Sequence, residues 1–114
     1  MQQIKALALA PLLFISAQGF GYDGNDLQKW SRSFEAMQKG ADPDWKSSMF
    51  VGYVAGVTDT IHGIVVCPKG NPTHLQNAAI VSKYISQNPE KWTEDGAVIV
   101  ATALQLAYPL CKKS

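Results

Sequence analysis

The sequence predicts an all-α domain, a compact array of about four helices closed by one disulfide. Apolar residues recur at spacings of three and four in four stretches of the chain, which is the period of amphipathic helices. Capping residues, glycines and prolines separate these stretches. The chain also has 2 cysteines, Cys67 and Cys111, and it starts with a segment typical of exported proteins, in which cysteines commonly pair.

Residues 1–19 have the pattern of a secretory signal peptide. Lys5 precedes an apolar run over residues 6–15, and small residues follow it. The run is shorter than the ~20 residues of a membrane-spanning helix and contains Pro11, so cleavage is favoured over a permanent anchor.

The mature chain is expected to be residues 20–114, a single domain with no membrane attachment after cleavage. A cut after Ala17 is the alternative, because small residues also stand there. For a bacterial chain, export of this kind indicates the periplasm. Without Lys5 the basic and acidic residues balance, and no basic patch supports nucleic-acid binding.

The first helix is predicted over residues 26–39. Its cap is either Asn25 or Asp23, and Gly40 ends it. One apolar stripe predicts its buried face, formed by Leu27, Trp30, Phe34 and Met37.

The second helix is predicted to begin after Asp42-Pro43-Asp44 and to end before Gly63. Its broad apolar face makes it the expected centre of the core, with Trp45, Met49, Phe50, Tyr53, Val54, Val57 and Ile61. Gly52 and Gly56 lie on the opposite side, where each costs helix propensity relative to alanine. They predict a helix-packing site, against either a neighbouring helix or the second subunit of a homodimer.

The third helix has two possible starts, either Asn71 as cap with Pro72 in the first turn, or a capping box from Thr73 to Gln76. Asn88-Pro89 ends it, since a residue before proline avoids the helical region. Its predicted buried face consists of Leu75, Ala78, Ala79, Val81 and Ile85.

The fourth helix is predicted to be capped by Thr93 and to stop at Pro109. Its predicted apolar stripe contains Ala97, Val98, Ala101, Leu104 and Tyr108. The apolar run of residues 64–66 suggests a strand, but no second run is available to pair with it.

Cys67 and Cys111 are predicted to form the disulfide, which ties the last helix to the connection before the third. The alternative, two free thiols with a redox role, is disfavoured because the chain has no Cys-x-x-Cys motif. His62 and His74 could be drawn with Cys67 as a metal site, but their spacing matches no zinc pattern. With no recognisable nucleophile motif either, we expect no metal, no cofactor and no enzymatic activity.

Two connections are candidate partner-binding surfaces. The first contains Lys69, Gly70 and Asn71 beside the disulfide, where a restrained loop can be presented at low entropic cost. The second contains Asn88, Glu90, Lys91 and Trp92. Trp92 is either an aromatic anchor for a partner or a ring that folds under the fourth helix.

An ordered set of short motifs lies within residues 34–111. The set consists of Gly52-Tyr53-Val54-Ala55-Gly56-Val57, Asp59, Cys67-Pro68, Gln76, Val81-x-x-Tyr84-Ile85, Asn88-Pro89-Glu90, Ala97, Ala103-Leu104-x-x-Ala107 and a closing proline and cysteine. It resembles the Rap/Tai family of type VI secretion amidase immunity proteins. There is one departure. In the family pattern the cysteine directly follows the proline, whereas here Leu110 stands between Pro109 and Cys111.

The resemblance implies a periplasmic immunity protein, in many members a dimer, that inhibits a cognate peptidoglycan amidase effector. Because such an amidase uses a cysteine–histidine pair, its inhibitor only has to occlude the active-site groove. The two connections named above are the expected inhibitory surfaces. Two alternatives stay open: an acid-stress chaperone, for which Asp59 would be a buried carboxyl, and an envelope scaffold subunit.

Overall fold

Each of the four predicted stretches forms one α-helix in the computed structural model, which describes residues 21–112. The helices are α1 (Gly24–Gln38), α2 (Trp45–Ile61), α3 (His74–Gln87) and α4 (Gly96–Ala107), with a 3-10 turn at Pro89–Lys91. The predicted all-α fold class is confirmed. No helix among the described residues has both the length and the hydropathy to cross a bilayer. The predicted signal peptide and cleavage site lie outside the described residues.

Capping boxes fix the starts of the first three helices. Asp23 caps α1 together with Asp26, which decides between the two predicted caps and starts the helix at Gly24. Asp44 and Ser47 form the box of α2. In α3 the Thr73 hydroxyl accepts from the Gln76 N–H at 3.1 Å, and the Gln76 side chain accepts from the Thr73 N–H at 2.7 Å. These reciprocal bonds satisfy backbone donors that a helix start leaves unpaired.

The predicted start of the last helix is wrong, because Thr93 does not cap it. α4 begins at Gly96, and the side chain of the preceding Asp95 makes no capping hydrogen bond. The backbone before it is instead paired with the chain entering α1. Gly24 N–H donates to the Glu94 carbonyl at 3.0 Å, and Gly96 N–H donates to the Tyr22 carbonyl at 2.8 Å. The pairing forms an isolated bridge between Asp23 and Asp95, and α4 begins directly after it.

The core lies where the four helices meet, and α1 makes its most extensive contacts with α2. Phe34 and Phe50 pack with ring centroids 5.4 Å apart. Every helix contributes fully buried side chains, and the connection after α2 adds one. They include Leu27, Phe34, Phe50, Val54, Val66, Val81, Ile85, Ile99, Val100 and Leu104.

Four apolar residues assigned to buried faces are exposed. Trp45 is 65% exposed and Leu75 is 51% exposed, because each stands in the first turn of its helix, beyond the edge of the core. Val98 is 50% exposed, and Ala97 is exposed beside it. The buried face of α4 is therefore rotated from the predicted stripe.

Gly96 explains that rotation. A Cβ at this position would lie 2.9 Å from the Tyr22 carbonyl oxygen and 3.0 Å from the Tyr53 hydroxyl. Gly96 therefore begins the face of α4 that packs against Tyr22 and Tyr53. Because glycine has no side chain, a search for a stripe of apolar side chains does not detect this face. Ile99, Val100 and Ala103 continue that face.

Gly52 and Gly56 lie on the exposed side of α2. A Cβ built at either position would meet no heavy atom of the described chain within 4 Å. No helix of residues 21–112 packs against them, so a neighbouring helix does not account for these glycines. Packing against a second subunit stays a prediction.

A buried polar cluster joins α1 to α3. The Ser82 hydroxyl donates to Glu35 Oε1 at 2.8 Å, so Ser31, whose Oγ lies 2.6 Å from Ser82 Oγ, is the donor between the two serines. Both hydroxyls are thereby satisfied, and the cluster fixes how these helices face each other.

Candidate partner-binding site

The disulfide holds the connection between α2 and α3 against the end of the chain. Cys67 and Cys111 are bonded across a sequence separation of 44 residues, as predicted. Two backbone hydrogen bonds accompany the bond, from Cys67 N–H to the Pro109 carbonyl at 2.8 Å and from Cys111 N–H to the Val65 carbonyl at 2.9 Å. The connection is therefore fastened on both sides of the bond.

Leu110, the residue that departs from the family pattern, takes part in this junction. It forms an isolated antiparallel bridge with the buried Val66. The apolar run of residues 64–66 thus finds a partner in the tail, but only as a single bridge and not as a strand. The extra residue leaves the pairing of the cysteines intact.

Beyond the disulfide, the chain projects a short exposed loop. Lys69, Gly70 and Asn71 are all exposed, and Gly70 has a φ of 78°. This is the left-handed region that side chains with a Cβ rarely adopt, so glycine allows the chain to turn sharply here. Because Cys67 fixes one end of the loop and the α3 capping box fixes the other, the loop is presented in a restrained shape.

A groove of about 610 Å³ lies beside this loop. Ala79 and Ile80 of α3 contribute half-buried aliphatic surface to it, and Lys69 contributes an amine. The whole lining consists of Lys69, Asn71, Pro72, Gln76, Ala79, Ile80 and Tyr108. Apolar, amide and amine groups of this kind bind a ligand by contact and hydrogen bonding.

Tyr108 forms part of the groove wall and is held in place by α3. Its hydroxyl donates to Asn77 Oδ1 at 2.5 Å. Burial raises the pKa of Tyr108, so the phenol stays neutral and keeps its proton in this hydrogen bond. Tyr108 therefore offers a fixed aromatic ring to the groove.

The second predicted surface follows α3. Asn88 Nδ2 donates to the Tyr84 carbonyl at 2.8 Å, and the Trp92 indole N–H donates to the Ile85 carbonyl at 2.9 Å. The Trp92 ring packs against the core and is only half-exposed. The ring therefore folds against the domain, but its hydrogen bond is to α3 and not to the fourth helix named in the second interpretation.

Glu90 and Lys91 differ in how free they are. Glu90 is exposed. Lys91 Nζ lies 3.3 Å from Glu94 Oε2, and this hydrogen bond with its charge attraction raises the pKa of Lys91. Lys91 is thus paired within the described chain, whereas Lys69 forms no ion pair with the described residues.

The structure does not bring the two predicted surfaces together. Lys69 to Asn71 precede α3, and Asn88 to Trp92 follow it. A helix of this length separates its ends by about 20 Å, from 1.5 Å per residue. The two surfaces are therefore separate, and only the first borders the groove.

Several groove residues were not identified from the sequence. Gln76 was assigned only to a cap, Tyr108 was assigned to a buried stripe, and Ile80 received no role. The available signal was Ile80 itself, an apolar residue that lies off the buried face of α3 formed by Ala78, Val81 and Ile85.

Cys67 cannot serve as a thiolate ligand in a metal site with His62 and His74, because its sulfur is bonded to Cys111. In the part of the chain that the structure describes, no three potential metal-ligating side chains cluster.

The chain is compared with protein-family models, with curated proteins and with solved structures. Neither the comparison with curated proteins nor that with solved structures gave a match. The model of the Rap1a immunity proteins matches residues 23–111, which begin at the cap of α1 and end at the second cysteine. The match spans all four helices, the groove and the disulfide. The chain therefore belongs to the Rap1a immunity protein family.

Proposed function

We propose that the protein is a periplasmic immunity protein that binds a cognate type VI secretion peptidoglycan amidase and inhibits it by occluding its active-site groove. The observation that carries the proposal is the restrained, exposed loop from Lys69 to Asn71 in a chain of an immunity family. An inhibitor of this kind supplies no chemistry. It has to fill a cleft and exclude the substrate.

The disulfide supports this role energetically. Ordering a flexible loop on binding costs about 0.5–1.5 kcal/mol for each immobilised side chain, in addition to the backbone cost. Here Cys67 and the capping box of α3 restrain the backbone of the loop before binding, which reduces the backbone part of that cost. More of the contact energy is then available for affinity.

The surface from Asn88 to Lys91 is a second contact region in this proposal. Asn88 and Trp92 are bonded to α3 carbonyls, so they give the 3-10 turn a fixed shape, and Glu90 is its exposed charge. An effector that spans α3 would touch both surfaces. The exposed glycines of α2 are the proposed contact of a homodimer, on a different face from the groove lining.

The chaperone alternative lacks the buried carboxyl on which it relied. Asp59 is exposed. The carboxylate that contributes, after burial, to the raised pKa of Tyr53 is that of Asp95. A scaffold role has no specific observation in its favour.

A protection experiment tests the proposal in cells. A candidate amidase effector is exported to the periplasm of a test bacterium, together with either the full chain or a variant lacking residues 1–19. We expect the full chain to prevent lysis and the leaderless variant to fail. Lysis despite full-length protein recovered folded from the periplasm would contradict the proposal, and so would equal protection by the leaderless variant.

A further inference from the structure

The acidic residues of this chain are confined to two segments of the sequence, and none of them lines the groove beside the exposed loop. All of its 9 acidic residues lie in residues 23–59 and 90–95, and none lies in residues 60–89 or 96–114. With histidine counted as neutral, the charged residues of these acid-free segments are all lysines, at positions 69, 83, 112 and 113. Every residue that lines the groove beside the exposed loop belongs to these acid-free segments.

Hydrogen bonds within the lining leave mainly donors for a ligand. The Gln76 carbonyl oxygen accepts from the Thr73 N–H at 2.7 Å, which leaves two amide N–H donors and one oxygen lone pair of Gln76 for a ligand. Lys69 adds an ammonium group, which can only donate. The Asn71 amide stands on the same wall. These groups favour an occupant that carries acceptors and negative charge.

The rest of the lining is apolar. Ala79 and Ile80 provide aliphatic surface on α3, and Pro72 and the Tyr108 ring border it. A matching occupant therefore needs apolar side chains as well as a carboxylate.

We propose that the groove receives an acidic segment of the partner protein, an extended loop with an Asp or Glu beside an aliphatic or aromatic residue. The carboxylate pairs with Lys69 and accepts from the amides of Asn71 and Gln76. The apolar side chain rests on Ala79, Ile80 and the ring of Tyr108. The inference rests on the proposed function only for the identity of the partner.

Phosphate-rich partners fit the groove less well. Binding to a nucleic acid or to an anionic lipid surface depends on several cations acting together, and the groove lining contains one. Its aliphatic surface would also be unused against a row of phosphates. A protein segment with few charges satisfies both parts of the lining.

A random peptide library displayed on phage tests the inference without the effector. The library is selected on the oxidised protein purified from the periplasm, and binding of enriched peptides is measured by fluorescence anisotropy. We expect enrichment of Asp or Glu next to apolar residues. Lys69→Glu should weaken binding by about tenfold or more, since it puts a like charge against the carboxylate. Lys39→Glu is the matched control, because Lys39 is exposed but outside the groove lining.

Neutral or basic peptides, no enriched peptide, or equal binding to Lys69→Glu would overturn the inference. Stronger Lys69-dependent binding to a single-stranded oligonucleotide or to phosphatidylglycerol vesicles would overturn it in favour of a phosphate ligand. Circular dichroism of both variants establishes that each is folded. If acidic peptides bind but no neighbouring amidase is inhibited, the proposed function fails and the inference stands. If Lys69→Glu inhibits the amidase as well as the wild type does, the inference alone fails.

Discussion

At the scale of single residues, Gly24 is the glycine of the described chain with the least space for a side chain. A Cβ there would lie 2.5 Å from Trp92 Cα and 2.6 Å from the Trp92 carbonyl oxygen. These are backbone atoms that cannot rotate away, so we expect Gly24→Ala to destabilise the domain by about 1–3 kcal/mol, the usual range for overpacking. Urea denaturation measures the difference. Gly21→Ala is the control, because a Cβ there meets nothing within 4 Å, and an equal loss in both variants would contradict the account.

Tyr53 makes stability depend on alkaline pH. Burial, with a smaller contribution from the negative charge of Asp95, raises the pKa of Tyr53 above its ordinary value of 10.0. The folded state therefore favours the protonated phenol. The stabilisation is complete below pH 10 and is lost as pH rises through the higher pKa of the folded state. Free energies of unfolding measured from pH 8 to 11 should fall less steeply for Tyr53→Phe than for the wild type. Parallel curves would show that Tyr53 does not carry the effect.

At the scale of elements, the sequence was most informative where polar caps and large apolar residues act locally. Thr73 with Gln76 was one of the two predicted starts of α3 and is the observed one, and Phe34 and Phe50 were correctly assigned to the core. It was least informative at α4, whose start depends on backbone pairing with the chain at Tyr22. That contact joins residues far apart in sequence, and no local pattern encodes it.

The candidate site was predictable in the same partial way. Lys69 and Asn71 were found because a cysteine, glycine and proline surround them. The opposite wall of the groove was missed, since Tyr108 reaches it only through the disulfide junction and its bond to Asn77. Trp92 was ambiguous because its burial depends on an indole hydrogen bond to the Ile85 carbonyl.

The exposed glycines of α2 give a prediction for this helix. If a second subunit packs closely against Gly56, the larger side chain in Gly56→Gln should weaken the homodimer. We expect sedimentation equilibrium to show a dimer for the wild type and a shift towards monomer for this variant. Ala36→Gln, at an exposed position on α1, is the control and should leave the dimer unchanged. A monomeric wild type would contradict the dimer, and an unaffected Gly56→Gln dimer would place its contact elsewhere.

At the scale of the whole molecule, the disulfide couples stability to the shape of the site. Removing it in Cys67→Ser/Cys111→Ser releases a long loop in the unfolded chain. The chain-entropy relation gives a loss of about 4 kcal/mol for a loop of this size. Chemical denaturation of the variant and of the oxidised wild type measures the difference. No change in unfolding free energy would contradict this assignment.

The most direct test of the central claim is a titration of the cognate amidase with the oxidised protein while hydrolysis of a peptidoglycan peptide is followed. Occlusion of the active-site groove predicts that activity falls in proportion to added protein and reaches zero near one subunit per enzyme. Full amidase activity in the presence of excess folded, disulfide-bonded protein would contradict the proposed function.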